Sequence, residues 1–138
     1  ARMLQRLGSE HVLIVHGCDG LDELTLAGDT HVAELKGGEV KEYTVHPEQF
    51  GLAQHDGSAL RVSSPQASVD TVRRVLDNQS GPARDIVLFN AGAALYAANV
   101  ADSLGDGIER AREALASGAA AERLYAFVQT TQRFKPAA

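Results

Sequence analysis

Eight consecutive residues, His16-Gly17-Cys18-Asp19-Gly20-Leu21-Asp22-Glu23, concentrate the chemistry of this chain. Three of them are acids, Asp19, Asp22 and Glu23, with no lysine or arginine among them. Adjacent carboxylates are hard oxygen donors, so the chemistry they offer is the holding of a hard divalent cation. Magnesium suits such a set, because one or two carboxylates plus substrate phosphates satisfy it. A plainer reading uses the same residues: Asp22 caps a short helix and Glu23 is a solvated first-turn acid. A two-acid pattern alone does not separate the two. Cys18, the one cysteine, suits a small half-buried structural side chain better than a nucleophile. His16 borders the acids, where a hydrogen bond from its ring would steady the loop.

Such a loop needs rigid elements on either side. His11-Val12-Leu13-Ile14-Val15 precedes it and is short, apolar and β-branched. That pattern predicts a strand buried on both faces of a parallel sheet. Gly17 and Gly20 then permit a tight turn. The acids fall beyond the carboxyl end of the strand, where open α/β sheets bind ligands.

Thr30 to Leu35 and Glu39 to Val45 predict a hairpin around Lys36-Gly37-Gly38. Pro47 ends it, having no N–H for the ladder. Residues 47–66 read as loop, with a short strand at Leu60 and Val62. Val69, Val72, Val75 and Leu76 recur at helical spacing and predict a packing helix over Ser68 to Asp77. Asp85-Ile86-Val87-Leu88-Phe89 predicts a second fully buried strand, with Asn90 capping the helix after it. Two helices close the chain. Asp106 caps one that carries Ile108, Ala111 and Leu115 and ends at Gly118; Leu124, Phe127, Val128 and Thr131 form the apolar stripe of the other. Met3, Leu4 and Leu7 share a face of an opening helix that Gly8 terminates. Strand–helix alternation of this kind predicts an α/β layer.

Composition bounds the function. A chain of 138 residues with 44% hydrophobic content can bury one real core. A net charge of −5 argues against a nucleic-acid partner. A lone cysteine forms no intrachain disulfide and suits a reducing cytoplasm. No apolar run approaches the ~20 residues of a membrane span. The histidines lack zinc spacing, and neither a Ser-His-Asp order nor a nucleophile elbow is visible. No residue is therefore assigned a catalytic role.

The octapeptide with its preceding strand resembles the signature of the anthranilate phosphoribosyltransferase family. Leu7-Gly8, Pro47-Glu48-Gln49-Phe50-Gly51-Leu52 and the run from Gly81-Pro82-Ala83-Arg84-Asp85 through Asn90-Ala91-Gly92 to Tyr96 follow in that family's order. One segment departs from it: Ala67-Ser68-Val69 stands where the family opens a helix with an Asn-Ala pair. The resemblance implies an α/β fold, part of the large α/β domain of a class III phosphoribosyltransferase or nucleoside phosphorylase-like protein. Residues 1–138 would form its C-terminal portion, without the small N-terminal helical domain.

It also implies that Asp22 and Glu23 bind the magnesium that carries the pyrophosphate of phosphoribosyl pyrophosphate. The reaction would be transfer of the phosphoribosyl group to anthranilate in tryptophan synthesis, by a cytoplasmic homodimer. The family's glycine-rich phosphate loop and its anthranilate-contacting arginine would lie upstream of Ala1, so neither is assigned here. A chain that opens inside a helix on Ala1 would on this view be a fragment, inactive alone. Two alternatives stand beside this expectation: a pyrimidine nucleoside phosphorylase-like enzyme and a non-catalytic binding homologue.

Overall fold

A three-stranded sheet in the order β1-β2-β3 organises the computed structural model, which describes residues 1–134. The strands are β1 (His11–Gly17), β2 (Thr30–Lys36) and β3 (Glu39–Val45). Both pairings are antiparallel, with His11 opposite Lys36 and Gly17 opposite Thr30 in the first, and Thr30 opposite Val45 in the second. Gly37 and Gly38 form the β2–β3 turn in left-handed conformations, with φ of 58° and 80°, which glycine adopts without steric cost. The predicted hairpin is therefore present.

The parallel sheet expected for β1 is not found among the described residues. Residues 18–29 connect β1 to β2 without a helix, and parallel neighbours need a long crossover connection, usually helical. Nor is β1 buried on both faces. The register puts Leu13, Val15, Val32, Glu34 and Val45 on one side of the sheet, and Ile14, His16, His31 and Ala33 on the other. Ile14 on that outer side is 41% exposed.

Among the described residues five α-helices accompany the sheet: α1 (Arg2–Arg6), α2 (Pro65–Leu76), α3 (Pro82–Ala97), α4 (Leu104–Ala116) and α5 (Ala119–Gln132). The predicted strand at Asp85 to Phe89 is instead part of α3, and Asn90 lies inside that helix instead of capping it. A short apolar run does not by itself distinguish a buried strand from a buried helix. Pro82 in the first turn starts the helix well, and alanine-rich residues carry it to Ala97. Its faces pack against α2, α4 and β1, so it is apolar nearly all round, as an inserted helix is.

Two glycines allow α3 and α4 to touch. A Cβ on Gly92 would stand 2.7 Å from the backbone nitrogen of Ile108, and one on Gly107 would stand 2.9 Å from the carbonyl carbon of Gly92. Around this crossing Leu88, Phe89 and Ile108 join Leu24 and Leu26 of the acidic segment, with Val32 and Val45 of the sheet, in one hydrophobic core.

Local differences have local causes. Ser64 caps α2, its hydroxyl accepting from Ala67 N–H at 3.1 Å, so the helix starts before Ser68. Gly57–Leu60 is a 3-10 turn led by Asp56, and no strand forms at Leu60 and Val62. Ser103, not Asp106, caps α4; Asp106 sits in the first turn and accepts from the N–H of Asp102 at 3.0 Å. That bond and the Arg110 guanidinium hold the Asp106 carboxyl below its usual range. The stripe expected on α5 is largely open to solvent, with Phe127 at 64% exposure.

Candidate metal-binding loop

The residues between β1 and β2 form no helix, yet they are closely tied. Gly17 N–H donates to Leu21 C=O at 2.8 Å and Cys18 N–H to Asp29 C=O at 2.9 Å. Gly17 must be small here, since a Cβ would meet Thr25 at 3.0 Å. Asp19 works inside the loop: Oδ1 accepts from Leu21 N–H at 3.2 Å and Oδ2 from the Thr25 hydroxyl at 2.9 Å. Thr25 Oγ1 in turn accepts from Ala27 N–H, and Thr25 N–H donates to Thr30 Oγ1 at 3.1 Å. Thr25 and Thr30 are almost fully buried, at 2% and 0% exposure. Buried hydroxyls remain stable only when bonded, and these bond to each other's segment.

The far side of the loop is held from outside. His55 N–H donates to Leu26 C=O at 2.9 Å, and Gln54 Nε2 to Ala27 C=O at 2.6 Å. From α3, Asn90 Oδ1 accepts from Leu24 N–H at 2.9 Å, while Asn90 Nδ2 donates to Leu24 C=O at 2.9 Å.

The three acids thus separate by role. Asp19 is consumed in holding the turn. Asp22 and Glu23 are exposed, and among the described residues their side chains make no hydrogen bond or ion pair. Asp22 caps no helix, because none follows it. Glu23 and Asp19 also face a cavity of about 530 Å³, otherwise mostly apolar, that opens between the loop, α2 and α3.

Two neighbouring expectations are corrected. His16 makes no side-chain hydrogen bond among the described residues; it stands opposite His31 on the outer face of the sheet and does not steady the loop. Cys18 is exposed, not half-buried, because the turn carries it outward past Gly17.

The donor set fits magnesium under one condition. Among the described residues no group of three His, Cys, Asp or Glu side chains converges on a common point. Two free carboxylates make no all-protein cage. They do match a cation that keeps water and substrate phosphate as its remaining ligands.

Sequence reasoning missed Thr25, Thr30 and Asn90. The signal available for Asn90 was its polarity inside an otherwise apolar run; the threonines gave none, because their partners are set by the turn.

The glycosyl transferase family, a/b domain, matches residues 1–121. The anthranilate phosphoribosyltransferase of Methylibium petroleiphilum is 60% identical over 99% of this chain and 40% of its own length. A crystal structure of anthranilate phosphoribosyltransferase from Thermus thermophilus superposes with a TM-score of 0.78 at 41% identity, covering 91% of this chain and 38% of that one. The Saccharomyces cerevisiae anthranilate phosphoribosyltransferase in complex with PRPP and Mg gives 0.76 at 25% identity, covering 89% and 36%. The chain belongs to the glycosyl transferase family and carries its a/b domain fold. It spans about 40% of the length of the curated relatives it matches.

Proposed function

We propose that residues 1–138 are the C-terminal portion of the α/β domain of an anthranilate phosphoribosyltransferase. The complete protein transfers the phosphoribosyl group from phosphoribosyl pyrophosphate to anthranilate, releasing pyrophosphate, as a cytoplasmic homodimer in tryptophan synthesis. The observation that carries this reading is the division of labour among the acids: Asp19 locks the loop and leaves Asp22 and Glu23 unpaired in solvent. The names of the relatives at 55% and 60% identity favour this transferase over a nucleoside phosphorylase.

Magnesium, when bound, neutralises charge that grows on pyrophosphate as it leaves. The part of this chain is to anchor that cation through Asp22 and Glu23. Both carboxylates act as oxygen donors and neither needs to move a proton. Glu23 also borders the mostly apolar cavity between the loop, α2 and α3.

The test is a magnesium titration of turnover in the full-length protein, with a thermal melt beside it. Glu23→Gln should lower turnover by about 2–4 kcal/mol of transition-state stabilisation, the usual scale for one electrostatic group, and leave the melting temperature nearly unchanged. Unchanged turnover at every magnesium concentration would remove the metal role.

A further inference from the structure

We infer that Asn90 is the positioning residue of the acidic loop, acting on Asp22 and Glu23 through the backbone of Leu24. The inference rests on the magnesium reading of those two carboxylates. A primary amide has one acceptor and one donor end, and here both ends meet the same residue: Oδ1 takes the Leu24 N–H and Nδ2 gives to the Leu24 C=O, each at 2.9 Å. The second amide hydrogen goes to Ile86 C=O at 3.1 Å, one helical turn back, and fixes the side chain on its own helix. Leu24 is also seated in the core by its side chain, at 1% exposure.

On the other side of the two acids, the turn is anchored as well. Leu21 gives its N–H to Asp19, and its C=O accepts from Gly17 N–H. Asp22 and Glu23 are therefore the whole span between two residues whose N–H and C=O are both bonded. A two-residue span between fixed ends has few backbone states, so its carboxylates are presented with little entropy left to lose on binding.

The clamp stands on a platform that does not yield. Gly92, two residues beyond Asn90, lies against the backbone of Ile108 where α3 and α4 touch. Asparagine has lower helix propensity than leucine or alanine and competes with backbone bonds, so its place inside α3 is explained by the bonds it makes outside the helix. Aspartate at the same position would keep the acceptor and lose the donor. Leucine would keep the shape and lose both.

The experiment uses Mn2+ with inorganic pyrophosphate, followed by electron paramagnetic resonance, on the full-length protein; the magnesium dependence of turnover is measured alongside. Asn90→Ala should weaken Mn2+ binding about tenfold or more, the scale seen when an outer partner of a metal ligand is removed. The magnesium needed for half-maximal turnover should rise with it, while the KM for anthranilate stays unchanged. Asn90→Asp should fall between wild type and Asn90→Ala, and keeps the test available if the alanine variant does not fold. Ala94→Gly, on the exposed side of α3, loosens the helix without touching the loop and should leave Mn2+ binding intact. Wild-type Mn2+ binding by both Asn90 variants, with binding by Glu23→Gln weakened, would make Asn90 a purely structural residue and overturn the inference. Wild-type binding by Glu23→Gln as well would overturn the magnesium reading and the inference with it.

Discussion

The Tyr96 hydroxyl of α3 donates to Glu34 Oε1 of β2 at 2.6 Å, across the interface between sheet and helices. His11 of β1 joins the same oxygen, with Nε2 at 3.1 Å, and its Nδ1 lies 2.8 Å from Asn99 Oδ1 beyond the end of α3. The His11 ring stands edge-on to Tyr96 with centroids 4.7 Å apart, and Lys36 Nζ lies 4.3 Å from the Tyr96 ring centre. The inner face of the sheet thus meets α3 through two kinds of contact: apolar near the acidic loop, polar at the opposite end of the strands.

Glu34 should make stability depend on acid pH. Burial pushes its carboxyl up, but the donors around it, Tyr96, Tyr43 and His11, outweigh burial and leave it below its ordinary value of 4.5. The unfolded chain then binds more protons than the native one just below that value. The carboxylate's contribution is fully present above the unfolded pKa and is lost as pH falls through the lower folded one. Glu34→Gln should cost about 1–3 kcal/mol near neutral pH, and the gap to wild type should narrow as pH falls below the ordinary carboxylate value, because the folded carboxyl lies lower still. Urea unfolding at several pH values measures it. A gap that stays constant on acidification would show that the charge of Glu34 contributes nothing.

The α3–α4 crossing predicts opposite outcomes for two glycines on one helix. A Cβ on Gly107 would collide with the Gly92 carbonyl, whereas one on Gly105 would meet only the Ser103 hydroxyl at 3.9 Å and Phe50 at 4.0 Å. Gly107→Ala should destabilise by about 3 kcal/mol or more, since overpacking here must move backbone. Gly105→Ala should be neutral or stabilising by up to about 1 kcal/mol, through helix propensity. Thermal melts of the two variants decide it; equal effects would mean that the helices part easily.

The hairpin was legible because a two-glycine turn between alternating strands has few other solutions. Asp85 to Phe89 was not, since a short apolar run fits a buried strand or a buried helix equally until its surroundings are known. The direction of β1 was beyond the pattern too, because a buried-looking run carries no information about its neighbour's direction. In the acidic octapeptide the residue types pointed to a cation, and the structure leaves Asp22 and Glu23 without a side-chain partner among the described residues. What no spacing revealed is that Asp19 is spent on Thr25, or that Asn90, 66 residues away from Leu24, holds the segment that follows Glu23. Those partners are tertiary.

Thr30→Val tests the buried end of that arrangement. The substitution keeps the shape and removes the acceptor for Thr25 N–H, whose residue is only 2% exposed. An orphaned buried donor costs about 1–3 kcal/mol. The loss should appear in urea unfolding, together with faster amide exchange at Thr25 and Ala27, because Thr25 Oγ1 also serves Ala27. Wild-type exchange at both amides would mean that the loop is held by its other bonds alone.

The 138-residue chain should not by itself make phosphoribosyl anthranilate, even with magnesium saturating. Two exposed carboxylates leave most magnesium ligands to water and substrate, and no third acid, histidine or cysteine joins them among the described residues. The substrate phosphates need backbone or cationic donors, and the sequence holds no Gly-Thr-Gly-Gly-Asp run of the kind that cradles them in the family it resembles. The chain covers about 40% of the length of its relatives, and it exposes large apolar side chains: Ile14 on the sheet is 41% exposed, Tyr125 and Phe127 on α5 are 68% and 64% exposed. Such patches favour association, so the isolated chain should also scatter light as oligomers at high concentration. Anthranilate fluorescence, followed with the chain alone and again after the remainder of a related transferase is added in trans, measures the first expectation. Turnover by the chain alone would mean that Asp22, Glu23 and the cavity beside them suffice for both substrates, and the division of roles proposed for the complete protein would have to be given up.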